Sequence, residues 1–190
     1  MFDIESLGIE STTIILSAAI TYFDFNEAEL PSGKERYNTL VGRSHFVKFN
    51  AKEQGDKYKR SVTQSTLDWW MKQSLIARDL AIKPSKADMN AAEGIESIRA
   101  YINANGGNNQ IFWARGSLDQ MAIDSLCRVV GCEPLAMYNV WRDVRTAVDL
   151  IADTNNGYCA IKDFNPDIHV MKHDPRNDCA LDIMMLLHHK

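Results

Sequence analysis

Asp3-Ile4-Glu5 opens the chain with two carboxylates separated by one apolar residue. In an extended segment alternate side chains share a face, so Asp3 and Glu5 point one way and Ile4 points into a core. Two neighbouring acids repel unless a cation lies between them, and hard divalent cations choose carboxylate oxygen. A surface strand with two solvated acids is the simpler account. It stands unless the rest of the chain brings further ligands to the same face.

The following residues predict more strands. Segment 12–24 is rich in Thr, Ile, Tyr and Phe and reads as a long, buried strand. Segment 26–33, with Pro31-Ser32-Gly33, is turn chemistry, and 39–49 alternates through His45-Phe46-Val47-Lys48-Phe49. Three strands joined by hairpins are expected. Ser65-Thr66-Leu67-Asp68 then has the capping-box pattern of a helix running through Trp69-Trp70 to about Ile82, before Pro84.

A second helix fits 88–104, with Ile95, Ile98 and Ile102 at helical spacing. Ile111-Phe112-Trp113-Ala114 reads as a short strand, and Ser117-Leu118-Asp119-Gln120 opens a helix over 118–130 that stops at Gly131. A strand is expected over 141–145 with Thr146 capping the next helix, then a loop over 155–169. Asp174-Pro175 starts the last helix. The pattern predicts an α/β fold, a mixed β-sheet flanked by helices, as one domain over 1–190.

No apolar run approaches the ~20 residues that span a bilayer, and the N-terminus lacks the marks of a signal peptide, so a cytoplasmic protein without membrane contact is expected. The four cysteines form no C-x-x-C pair and read as free, mostly buried thiols. A net charge of -4 argues against broad electrostatic binding of nucleic acid. It does not argue against a nuclease, whose clustered acids lower the count and whose bound cations reverse the local sign. The basic stretch Lys48, Lys52, Lys57, Lys59 and Arg60 fits either a phosphate track or a solvated face.

Further candidates lie far along the chain. With Asp174 as N-cap, His173 and Asp178 occupy the two positions that meet in a hydrophobic staple, here as imidazole and carboxylate. Asp119 sits at the start of a helix just past a strand end, where open sheets place ligands, although an acid there also complements the helix dipole. Trp69 and Trp70 face about 100° apart, so only one can be fully core, and the other packs at the edge of the core or domain surface or stacks on a base. Arg142-Asp143-Val144-Arg145-Thr146 is read as a salt bridge plus a helix cap, and His188-His189 as an exposed tail. Combined with His173-Asp174, His45 and His169 raise an HD-type phosphohydrolase, an all-helical class at odds with the strand-rich first fifty residues.

The order Asp-x-Glu, then Asp after a central strand, then His-x-x-x-x-Asp at a late helix start resembles the DEDD exonucleases that carry a histidine. These are the proofreading branch of the RNase H-like fold. Ser65-Thr66-Leu67-Asp68-Trp69-Trp70, the 142–146 motif and His173 through Ile183 are also similar to the exodeoxyribonucleases of T-even phages. The resemblance implies a two-metal 3′-5′ exonuclease acting on single-stranded or frayed 3′ ends of DNA and releasing nucleoside 5′-monophosphates. Asp3, Glu5, Asp119 and Asp178 would hold two Mg2+ or Mn2+ ions, which clamp the attacking and leaving oxygens at phosphorus. His173 would be the general base, a role suited to a side chain titrating near neutral pH. Ser6 and Leu7 would meet the terminal nucleotide.

Two alternatives stay open: a 3′-5′ exoribonuclease of the same fold, since sugar contacts and not metals see the 2′-hydroxyl, and a catalytically silent nucleic-acid-binding module. All five expected catalytic residues are present, which counts against the second. The chain departs from the family pattern in having only Met1 and Phe2 before Asp3, so the first strand is short or native N-terminal residues are missing. It also has Leu118 where Phe is common.

Overall fold

A computed structural model of the chain describes residues 1–25, 32–107 and 109–187. Of the turn expected over 26–33, residues 26–31 lie outside them, as does the His188-His189 pair, while Gly33 begins a helix. β1 (Phe2–Ser6), β2 (Ile15–Ile20) and β3 (His45–Lys48) form an antiparallel sheet in the order β1-β2-β3, and β4 (Phe112–Ala114) pairs in parallel with β5 (Trp141–Asp143). β4 runs beside β1. The α/β class and the mixture of parallel and antiparallel pairing follow the sequence reading. The pairing falls into two ladders where one sheet was expected, and five strands rule out the all-helical alternative.

The helices are α1 (Gly33–Arg43), α2 (Ala51–Tyr58), α3 (Gln64–Met71), α4 (Leu75–Ala81), α5 (Ala91–Ala104), α6 (Leu118–Val130), α7 (Val144–Ala152), α8 (Pro166–His169) and α9 (Pro175–Leu186). α6 has the expected bounds, with Gly131 in the left-handed region (φ 83°) as its C-cap. α9 starts as read, with Asp174 accepting from the Arg176 N–H.

Other expectations are corrected. The long strand over 12–24 shortens to β2: the Thr21 N–H still bonds the Met1 carbonyl, and beyond it the Tyr22 N–H donates to the Tyr101 hydroxyl at 3.0 Å in place of a strand neighbour. Residues 39–43 are helical, not extended. Tyr37 and Leu40 lie at helical spacing and bury themselves in the core that includes α9, and that packing overrides the β-branched propensity of Thr39 and Val41. The helix read over 65–82 breaks at Lys72-Gln73-Ser74, where Ser74 accepts from the Ala77 N–H and starts α4. α5 begins at a capping box between Asn90 and Glu93, three residues later than read. α8 stands within the loop expected over 155–169, and α2 is a further helix. β5 ends at Asp143, and Asp143 rather than Thr146 caps α7 by accepting from the Thr146 N–H at 2.8 Å.

Two cores flank the first sheet. Phe2, Ile4, Ile15, Ala18 and Val47 pack with α5 and α6 on one side, while α1, α7 and α9 pack around Ala19 on the other. β2 is buried along its whole length. Asp3 stands opposite Ala19 and Glu5 opposite Ser17, so the strand facing the two acids offers small side chains. α9 packs against both strands, and its Cys179 thiol lies 3.6 Å from the Ala19 carbonyl oxygen. Close approach of one helix to the acidic strand is what creates the site. Among the described residues no helix is long and apolar enough to cross a membrane, and all four cysteines are free.

Candidate active site

β1 keeps strict alternation: Phe2 and Ile4 are buried, whereas Asp3 and Glu5 are half-buried on the other face. Asp178 comes from the first turn of α9, and one carboxylate oxygen each of Asp3, Glu5 and Asp178 lie within 4.8 Å of one another. Asp119, in the first turn of α6 and only 6 % exposed, stands outside that trio. Its carboxylate accepts a hydrogen bond from the Ile4 N–H, and its charge is felt by Asp3. The structure therefore brings the four acids to one place in a three-plus-one arrangement.

Burial and mutual repulsion act in the same direction on this cluster. Asp3 is raised well above the ordinary carboxylate range, first by burial and then by the charges of Asp119, Asp178 and Glu5. Asp119 and Asp178 are each pushed up to about 7, again chiefly by burial. A set of converging acids that resist ionisation is a poor structural device and a good cation trap, because a divalent ion removes both penalties. The all-oxygen donor set suits magnesium or manganese.

These shifts carry a stability consequence. A carboxyl group whose folded pKa is raised binds more protons folded than unfolded, so metal-free protein loses stability as pH rises between the two values. For Asp119 and Asp178 that window runs from 3.8 to about 7. The melting temperature in chelator is expected to fall by roughly 5–10 °C across it, and added magnesium should reverse most of the fall. Differential scanning fluorimetry from pH 4 to 7, with and without metal, measures both.

His173 precedes the N-cap of α9 and holds a left-handed backbone (φ 66°), uncommon for a residue with a side chain. That conformation turns the ring toward β1. Its Nδ1 lies 3.6 Å from Glu5 Oε1, an ion pair rather than a close hydrogen bond. The Glu5 carboxylate raises the His173 pKa above its ordinary value. Asp178 reaches His173 through charge, so the partner given by the strand is nearer than the one expected from helix-start geometry.

Ser6 ends β1, and its carbonyl oxygen accepts from the Trp70 indole at 2.9 Å. The strand register shifts between Glu5 and Ser6, which re-aims the chain as it leaves the acids. Leu7 buries its side chain in a small cluster with Ile14, Leu16 and Trp70. Of this pair, Ser6 is the more accessible.

Two features escaped sequence reasoning. Asp182, one turn beyond Asp178 on α9, takes a forked salt bridge from Arg115 (2.9 Å from Nε, 2.6 Å from Nη2). The Arg115 guanidinium also donates to the Gly157 carbonyl and lies over the Tyr158 ring. This pair neutralises a fifth buried acid beside the cluster, and the i, i+4 spacing of Asp178 and Asp182 was its only local signal. The second is the contact of Trp69 with the site, although the division of the tryptophan pair into one core ring and one exposed ring is as read. Trp70 is fully buried, whereas Trp69 meets the His173 ring edge-on at a centroid distance of 4.6 Å.

The remaining candidates resolve as structure. Lys52 pairs with Asp56 and Lys57 with Glu53, Lys48 and Lys59 donate to backbone carbonyls, and Arg60 is buried and bonded to carbonyls, so the basic stretch is internally satisfied. Asp174 is held by its cap and by Arg176 at 2.6–2.9 Å. His45 stacks on Tyr101 and bonds Ser97. The His169 side chain lies outside the described residues.

Comparison with known proteins places this geometry in context. Residues 1–184 match the family model described as the Rv2179c-like 3′-5′ exoribonuclease domain. The chain is also 31 % identical to the exodeoxyribonuclease of Enterobacteria phage T4, over 98 % of this chain and 86 % of the phage protein.

Proposed function

Because the chain belongs to the family of Rv2179c-like 3′-5′ exoribonuclease domains and is an exonuclease-family enzyme, we propose that it is a two-metal 3′-5′ exodeoxyribonuclease of RNase H-like fold. It acts as one domain over 1–190, on single-stranded or frayed 3′ ends of DNA, and releases nucleoside 5′-monophosphates. The observation that carries this reading is the convergence of Asp3, Glu5 and Asp178 within 4.8 Å, with His173 3.6 Å from Glu5. The RNase H-like reading is supported by an antiparallel trio of strands with a parallel pair beside β1. DNA is favoured over RNA by likeness to the phage exodeoxyribonuclease along almost the whole chain, although the matching family model is named for RNA.

Asp3, Glu5, Asp119 and Asp178 would hold the magnesium or manganese ions. When bound, such ions supply Lewis-acid stabilisation of charge at the phosphate and an acidified water. Glu5 orients the His173 imidazole through Nδ1, which leaves Nε2 to take the proton of the attacking water. Arg115 holds Asp182 and so fixes the turn of α9 that carries Asp178. Ser6 and Leu7, at the re-aimed end of β1, border the space for the terminal nucleotide. The free thiols suit a reducing compartment, the cytoplasm, that of the host if a phage encodes the chain.

Oligonucleotides of DNA and RNA, labelled at either end and incubated with magnesium, manganese or chelator, test the proposal. Mononucleotides should leave the 3′ end of DNA only with metal present. Long fragments, or shortening from the 5′ end, would remove the exonuclease reading, and activity surviving chelator would remove the metal. Faster loss of RNA than DNA would establish the exoribonuclease.

A further inference from the structure

Trp69 and Trp70 are adjacent on α3, so their side chains diverge by about 100° and cannot both be core. Trp70 takes the core position, fully buried, with its indole N–H bonded to the Ser6 carbonyl oxygen at 2.9 Å. That bond ties α3 to the end of β1, directly after the two acids. Trp69 is thereby brought beside His173 but stays 41 % exposed. Its aromatic neighbours meet it steeply, Trp70 at 76° and His173 at 80°, and no ring of the described residues stacks parallel on it. Core packing accounts for Trp70 and leaves the exposure of Trp69 unexplained.

Resting on the exonuclease reading above, we infer that Trp69 is the stacking platform for the base of the departing 3′-terminal nucleotide. His173 stands next to Glu5 of the acid cluster, so a ring 4.6 Å from His173 lies within one nucleotide's reach of the reacting phosphate. In a reaction that releases nucleoside 5′-monophosphates, that phosphate belongs to the departing nucleotide, whose base is the nearest one available. Every base has a π-face, so stacking holds any of the four, as an enzyme that shortens strands of any sequence requires. The contact is blind to the sugar, so it serves DNA and RNA alike. Its consequence is a selectivity for ends that carry a base.

Steady-state kinetics on single strands ending in an ordinary nucleotide or in an abasic tetrahydrofuran nucleotide test this directly. The wild-type enzyme should show a KM about tenfold lower for the base-bearing end, a size set by the energy of one base on one aromatic ring. In Trp69→Leu the KM for the ordinary end should rise about tenfold, with kcat changing less, and the two ends should become equivalent within about twofold. Trp69→Phe should restore the preference. Equal KM for the two ends in the wild type overturns the inference and needs no variant, so it decides the matter even if Trp69→Leu folds poorly. A preference that survives in a folded Trp69→Leu, or that follows an abasic site one nucleotide further in, also overturns it. Release of no nucleotide from any 3′ end by the wild type overturns the exonuclease reading itself, a distinct result that removes the inference with it.

Discussion

Asp3→Asn or Asp178→Asn is expected to abolish nuclease activity, by about 10³-fold or more, while raising the melting temperature of the metal-free protein. The first effect follows from losing a ligand to a cation worth several kcal/mol of transition-state stabilisation, at one decade of rate per ~1.4 kcal/mol. The second follows from geometry, because Asp3, Glu5 and Asp178 crowd within 4.8 Å and an amide relieves their repulsion. Asp3 carries the heaviest load, raised by burial and by four neighbouring acids. The check is a pair of measurements on one sample: nucleotide release, and thermal melts in chelator and in magnesium. Wild type should gain stability from the metal and the variants little. A variant that melts lower than wild type in chelator would mean that these acids brace the fold and do not serve a cation.

The second large effect concerns His173. Its replacement by alanine should lower kcat by about 10²–10⁴-fold, the usual worth of a positioned general base. The metal-induced gain in melting temperature should stay intact, since the ring belongs to no carboxylate of the cluster. A general base works when neutral, so the rate should rise with pH through the His173 pKa. In the metal-free protein Glu5 favours the protonated imidazole, and cations held by the same carboxylate act against it, so the limb is identified by its loss in the variant and not by its position. The pH profile of kcat therefore distinguishes this role from a structural one, since the alanine variant should have lost the limb. An unchanged limb in the variant would assign the titration to another group.

Much of the site was legible because its signals are local. Asp-x-Glu puts two acids on one strand face, and β1 alternates as that spacing demands. Ser117 and Gly131 bracket α6, and Asp174-Pro175 starts α9, so Asp119 and Asp178 could be assigned to first helical turns from sequence alone. Reading failed where local preference and tertiary packing disagree. Thr39-Leu40-Val41 prefers strand, yet Leu40 is buried in the core that includes α9, and the helix wins. The basic stretch was ambiguous because pairing at i, i+4 and solvation leave the same pattern of residues.

Residue order and period determined that this chain would carry two acids on one strand face and two more at helix starts, because alternation and capping are properties of a few neighbouring residues. Only the tertiary structure decided that Asp119 stands off from the other three while bonded to Ile4, that Arg115 neutralises Asp182, and that Trp69 lies against His173. Those contacts join positions 67 to 115 residues apart along the chain. They exist because small residues on β2 admit α9 and because Trp70 anchors α3 to β1, close packing that no local pattern announces.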